Sequence, residues 1–197
     1  MNVDSPGPAP LAERLTRLPS SLTVDQYHEA VYAGALFEDD PVELIEGRLI
    51  LRRPTGSRHA ATVARLDRLL ARSMGDQAIV WVGNPVRLSA VSEPQPDLML
   101  LKPRSDDYAA ALPSPSEVLL LVEVADSTLH FDRTEKVPLY SRHEIPEVWL
   151  VDLVERRLIV FADPTVEGYL TERMLEVGEI APRLLPHAKV CVDELFK

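Results

Sequence analysis

Apolar positions along the chain fall into two spacings, one helical and one of short unbroken runs. Thr23 to Gly34 carries the helical spacing, with Thr23 as N-cap, Gln26 at the third helical position and Gly34 as the stop. Ser57 to Met74 carries it again through Val63, Leu66, Leu69 and Leu70, accompanied by Arg58, Arg65, Arg68 and Arg72 and closed by Gly75. A third helix is expected over Asp132–His143, with Asp132 as N-cap, Glu135 completing a capping box, and Pro138 kinking or locally unwinding it.

The short runs read as strands. Val42 to Arg53 predicts a hairpin turning at Glu46-Gly47. Ile79–Val82 and Pro85–Leu88 predict a pair broken at Gly83-Asn84. Asp97–Leu101 and Val118–Val124 read as central strands buried on both faces. Glu147–Asp152, Arg157–Ala162 and Gly168–Leu175 follow, and Cys191–Lys197 reads as a short helix or strand. The sum is an α/β fold with a mixed sheet. Residues 1–20 are proline-rich and without apolar periodicity, so a flexible arm is expected there, with a single domain over 21–197.

Composition narrows the picture. The 197 residues carry 21 Lys and Arg against 31 Asp and Glu, a formal charge of −10. That counts against a protein coating nucleic acid through bulk charge, and says little against an enzyme whose acids bind metal. The one cysteine, Cys191, excludes a disulfide framework within the chain and points to a reducing cytoplasm. No signal peptide and no membrane-spanning run is read.

The chemistry is carried by Glu123, which interrupts the apolar run Glu117–Ala125. An isolated buried carboxylate is very costly, so a metal or cationic partner is required. Strand alternation turns Glu123 away from the face shared by Val122 and Val124. Asp97 opens the other central run, and Lys136 follows on a helix. Two strand-borne acids and a lysine suit a metal-dependent phosphodiesterase, since Mg²⁺ or Mn²⁺ is held through one or two carboxylates. Lys136 also has a plainer reading as a surface pair with Asp132. His59 reads as a cap or surface residue, Tyr140 and Trp149 as core, and the Arg58–Arg72 series as a solvated face.

In order, the chain presents Leu44-Ile45-Glu46-Gly47, His59, Pro96-Asp97, Val122-Glu123-Val124-Ala125-Asp126-Ser127-Thr128, Asp132, Lys136, Tyr140, and Pro146-Glu147-Val148-Trp149-Leu150-Val151-Asp152. This set resembles the Uma-two family of restriction-endonuclease-like proteins, in the PD-(D/E)XK nuclease superfamily. The resemblance spans roughly residues 22–165. It implies a restriction-endonuclease-like core, a mixed central sheet flanked by helices. It also implies catalytic Asp97, Glu123 and Lys136, with a metal site of Asp97, Glu123 and Glu43. His59 and Tyr140 become candidates near the site, and Arg58 and Arg65 candidates for phosphate contact. The lysine position two residues after the second acid holds Ala125, so Lys136 would supply the amine from the next helix. The implied activity is Mg²⁺- or Mn²⁺-dependent hydrolysis of DNA leaving 5′-phosphates, by a homodimer. The alternatives are a non-catalytic DNA-binding or regulatory module keeping the fold, and a hydrolase of RNA or nucleotides.

Overall fold

The computed structural model of the chain describes residues 9–197. The expected arm therefore lies partly outside the described residues; within them, Leu11–Thr16 forms a short helix, α1. The chain divides into two compact units, one of residues up to Arg53 with Ser89–Pro94, the other of Pro54–Leu88 with Gln95–Lys197.

The first unit is built on a hairpin. Strands β1 (Val42–Ile45) and β2 (Arg48–Leu51) pair antiparallel, Ile45 opposite Arg48. Glu46 and Gly47 between them both have positive φ, 48° and 79°, as a two-residue hairpin turn requires. Gly47 is also needed for space, because a Cβ there would crowd the Ser21 hydroxyl at 2.4 Å. Helix α2 (Val24–Tyr32) starts at Thr23, whose side chain accepts from the Gln26 N–H while the Gln26 side chain accepts from the Thr23 N–H. The Ser89–Pro94 segment runs beside the hairpin, with Gly47 N–H donating to Val91 O and Glu93 N–H to Leu44 O. Leu22, Val24 and Leu44 pack together beneath it.

The second unit is a six-stranded sheet in the order β3 (Ile79–Val82), β4 (Leu98–Leu101), β5 (Val118–Ala125), β6 (Glu147–Asp152), β7 (Arg157–Thr165), β8 (Gly168–Leu175). Only β5 and β6 run parallel; every other neighbouring pair is antiparallel. This is the mixed sheet the apolar runs predict. Strands β4, β5 and β6 are buried along their whole length, which is why they read as continuous rather than alternating apolar runs. Two residue pairs form a separate small ladder, β9 (Glu179–Ile180) and β10 (Val190–Cys191), and Val192–Phe196 ends as a 3₁₀ turn.

Leu98, Leu100, Leu120, Val122, Val124, Trp149 and Val151 point to one side of the sheet. There they bury against Leu66, Leu70 and Met74 of α3 (Ser57–Met74) and against Leu195 and Phe196. Each such side chain contributes roughly 1.5–3 kcal/mol on leaving water.

Two expectations are corrected. Pro85–Leu88 is not a strand: β3 pairs with β4 instead, and the Arg87 N–H goes to Pro113 O. Val86 and Leu88 are buried, so their alternation mimics a strand without a ladder. Asp132 is not an N-cap. The helix begins earlier, at α4 (Leu129–Phe131), and the Asp132 N–H donates to Thr128 O as an interior residue. A π turn over Asp132–Lys136 follows, then α5 (Val137–Arg142). Pro138 supplies the reason, since it has no N–H to give to the carbonyl four residues back and the ladder slips one residue there.

Candidate active site

Strand β5 sets the position of Glu123. Because Val122 and Val124 face α3, Glu123 faces the opposite side of the sheet, at 3% exposure. The crossover from β5 to β6 covers that side with α5. Lys136 and Tyr140 stand four residues apart, hence on one face of the helix. Both meet the same atom: Lys136 Nζ donates to Glu123 Oε1 at 3.2 Å and Tyr140 Oη donates to it at 2.5 Å. Lys136 is itself buried and Tyr140 fully so. The charge on Glu123 is thus met by an ammonium and a phenol, all three side chains being buried, and such charge-assisted bonds are strong.

Asp97 immediately precedes β4. The β4–β5 register pairs Leu98 with Val122, so the chain brings Asp97 across from Glu123 on the neighbouring strand, on the same face. Its carboxylate is held on both oxygens. The Val124 N–H donates to Oδ2 at 2.7 Å, and His59 Nε2 lies 3.0 Å from Oδ1. His59 comes from the first turn of α3, which packs on the sheet's other layer and reaches the strand end from there. With Asp97 ionised, Nε2 carries the proton and donates.

The structure therefore joins Lys136 and Tyr140 to Glu123, and His59 to Asp97. Glu43 sits buried within β1 of the first unit. Arg58 lies 3.5 Å from Asp126 and also donates to Leu153 O, while Arg65 donates to Leu195 O at 3.1 Å, two turns further along α3. Sequence reasoning passed over Asp126, although it lies in the quoted Val-Ala-Asp-Ser-Thr stretch. It also passed over Arg156, which no local pattern ties to α3.

Among the described residues, no three His, Cys, Asp or Glu side chains gather into a protein-only metal cage. The donors that Asp97 and Glu123 offer are hard carboxylate oxygens on neighbouring strands. These fit a divalent ion such as Mg²⁺, which keeps most of its water and takes one or two carboxylates.

Comparisons with known proteins bear on this geometry. The family model Uma2, described as "Putative restriction endonuclease", matches residues 24–189. A crystal structure of a putative nuclease belonging to DUF820, from Anabaena variabilis, superposes with a TM-score of 0.73 at 15% identity, covering 89% of this chain and 97% of that one. At that identity the likeness establishes a shared nuclease-like fold. No curated protein matches.

Proposed function

This chain belongs to the Uma2 family, and from that premise we propose that it is a divalent-metal-dependent endonuclease hydrolysing DNA phosphodiester bonds. The observation that carries the reading is the Glu123 carboxylate, sunk at 3% exposure and bound by Lys136 Nζ at 3.2 Å, with Asp97 one strand away. A buried ion pair is a poor way to stabilise a core, and apolar residues of similar size often serve as well or better. Its place near the end of a central strand, with a second carboxylate on the neighbouring strand, supports a chemical role.

Asp97 and Glu123 would hold Mg²⁺ or Mn²⁺. When bound, the ion supplies charge neutralisation on the phosphoryl oxygens and a hydroxide near neutral pH. Lys136 orients the attacking water by donating a hydrogen bond from its Nζ ammonium and stabilises the negative charge that develops. Tyr140 fixes the Glu123 rotamer through its phenol. His59 fixes Asp97 from the other oxygen. Water attacks phosphorus in line as the bond to O3′ breaks; the water's proton passes to solvent, the 3′ oxygen leaves and is protonated to a hydroxyl, and the phosphate stays on the 5′ end of the other fragment. A duplex offers two strands, and a homodimer would set one site on each. Among the described residues no helix is long and apolar enough to cross a membrane. A cytoplasmic setting is proposed for a chain whose single cysteine is free.

One observation favours a second reading. Both Asp97 oxygens and one Glu123 oxygen already have protein partners, as expected of a binding module that keeps the fold without catalysis. The two readings separate on DNA with Mg²⁺ or Mn²⁺. A nuclease converts supercoiled plasmid to nicked or linear product and loses this in Glu123→Gln and Asp97→Asn. A binding module retains DNA uncut in all three proteins.

A further inference from the structure

A second charged feature lies along α3. A cleft of about 350 Å³ is lined by Arg58, Arg65, Arg156 and Lys197 and by no acidic side chain. In a chain with 31 acids and 21 bases, a cleft whose lining holds four cationic side chains and no acidic one runs against composition. The cleft has the size of a small-ligand site, roughly 300–1,000 Å³.

The way these cations are held matters more than their number. Arg65 donates to the Leu195 carbonyl at 3.1 Å, and the Arg156 guanidinium lies 5.7 Å from the centre of the Phe196 ring. Both partners are neutral, so they fix the heads without cancelling the charge. Arg58 donates likewise to the Leu153 carbonyl. Its 3.5 Å contact with Asp126 and the 3.2 Å contact of Lys197 with Glu194 involve cations whose side chains are 62% and 67% exposed, so both pairs are weak. Arg156 holds a left-handed backbone, φ 54°, in the turn between β6 and β7. That conformation is uncommon for a residue with a Cβ.

Arg58 directly precedes His59, whose ring meets Asp97 at 3.0 Å. From Arg58 to Arg65 the helix rises about 10 Å. Guanidinium forks match phosphate oxygens in pairs, which a lysine point charge does not.

We propose that this cleft seats a backbone phosphate of the nucleic-acid strand flanking the bond to be cut, held by Arg65 and Arg156 with Arg58 at the end nearer Asp97. This rests on the nuclease reading. The test uses the full chain carrying Glu123→Gln, so that DNA stays uncut, with a fluorescent duplex titrated over a range of salt in Mg²⁺. Removing a phosphate contact flattens the slope of log K against log salt by about 1. Arg65→Gln and Arg156→Gln should each do so, and together weaken binding at least tenfold. Lys189→Gln, an exposed cation elsewhere, should change neither. If Arg65→Gln loosens the C-terminal turn and lowers Tm, Arg156→Gln carries the comparison alone. An unchanged slope in the arginine variants overturns the proposal while leaving the nuclease reading intact.

A second arm uses inorganic phosphate and thermal shift on the wild-type chain. A phosphate-dependent rise in Tm that the double variant loses, without any DNA binding or cleavage, keeps the anion cleft and removes the nuclease reading. No response to phosphate and none to DNA overturns the cleft.

Discussion

At the scale of single residues, Lys136 and Glu123 stabilise or destabilise each other according to who remains. Both are buried, so taking away the amine leaves a carboxylate without its counter-ion. Lys136→Ala should cost roughly 3–5 kcal/mol of stability, read by chemical denaturation. It should also abolish cleavage, and Lys136→Arg should restore little, since a planar guanidinium does not fit the place of a compact ammonium. Tyr140→Phe removes one charge-assisted hydrogen bond and should cost roughly 1.5–3 kcal/mol. A half-buried pair makes a pH prediction. The Arg14 guanidinium donates to both oxygens of Asp40 at 2.6 and 2.5 Å and holds that carboxyl below its ordinary pKa. A carboxyl depressed by folding stabilises the native state above its unfolded pKa, and that gain disappears as pH falls through the folded value. The Tm gap between wild type and Asp40→Asn should therefore be full near pH 6 and shrink below about pH 4. A gap constant with pH would show that Arg14 does not act through the Asp40 charge.

At the scale of elements, the crossover helix decides whether the site exists. Its π turn over Asp132–Lys136 sits directly before Pro138. Pro138→Ala restores an N–H that a regular helix would use. The chain should then become equally or more helical by circular dichroism while losing cleavage, because the turn that aims Lys136 is no longer required. Full activity in Pro138→Ala would mean that the slip has no part in aiming Lys136. The sequence foretells that Pro138 disturbs this helix, and misreads where the helix starts. Asp132 with Glu135 looks like a capping box, but local pattern does not register that Asp132 is buried by tertiary packing. Strand β5 was legible because eight buried residues in a row leave no alternation to misinterpret, so a charge among them stands out. Pro85–Leu88 was not, because burial of alternate residues looks the same with or without a ladder partner. Resemblance alone brought His59 near the site, and its pairing with Asp97 was not foreseen. Its physical basis is long-range, a helix end meeting a strand end 38 positions later in the chain. Arg156 was out of reach for the same reason.

At the scale of the whole molecule, the divalent ion proposed at Asp97 and Glu123 would act as a ligand of the native state. An ion at about 100 times its Kd should add roughly 2.7 kcal/mol. For a chain of this size that is about 5–11 °C in Tm. Asp97→Asn and Glu123→Gln should lose the shift, whereas Lys136→Ala should largely keep it, because an ammonium is no ligand. Equal shifts in all forms would take the metal away from these two acids. The most direct measurement of the central claim is cleavage of supercoiled plasmid by the full-length chain in Mn²⁺ or Mg²⁺, beside Glu123→Gln and Lys136→Ala made and purified identically. The account predicts metal-dependent nicking by wild type, abolished by chelation and absent from both variants. Uncut plasmid with wild type under every metal condition, or nicking that both variants retain, would contradict it.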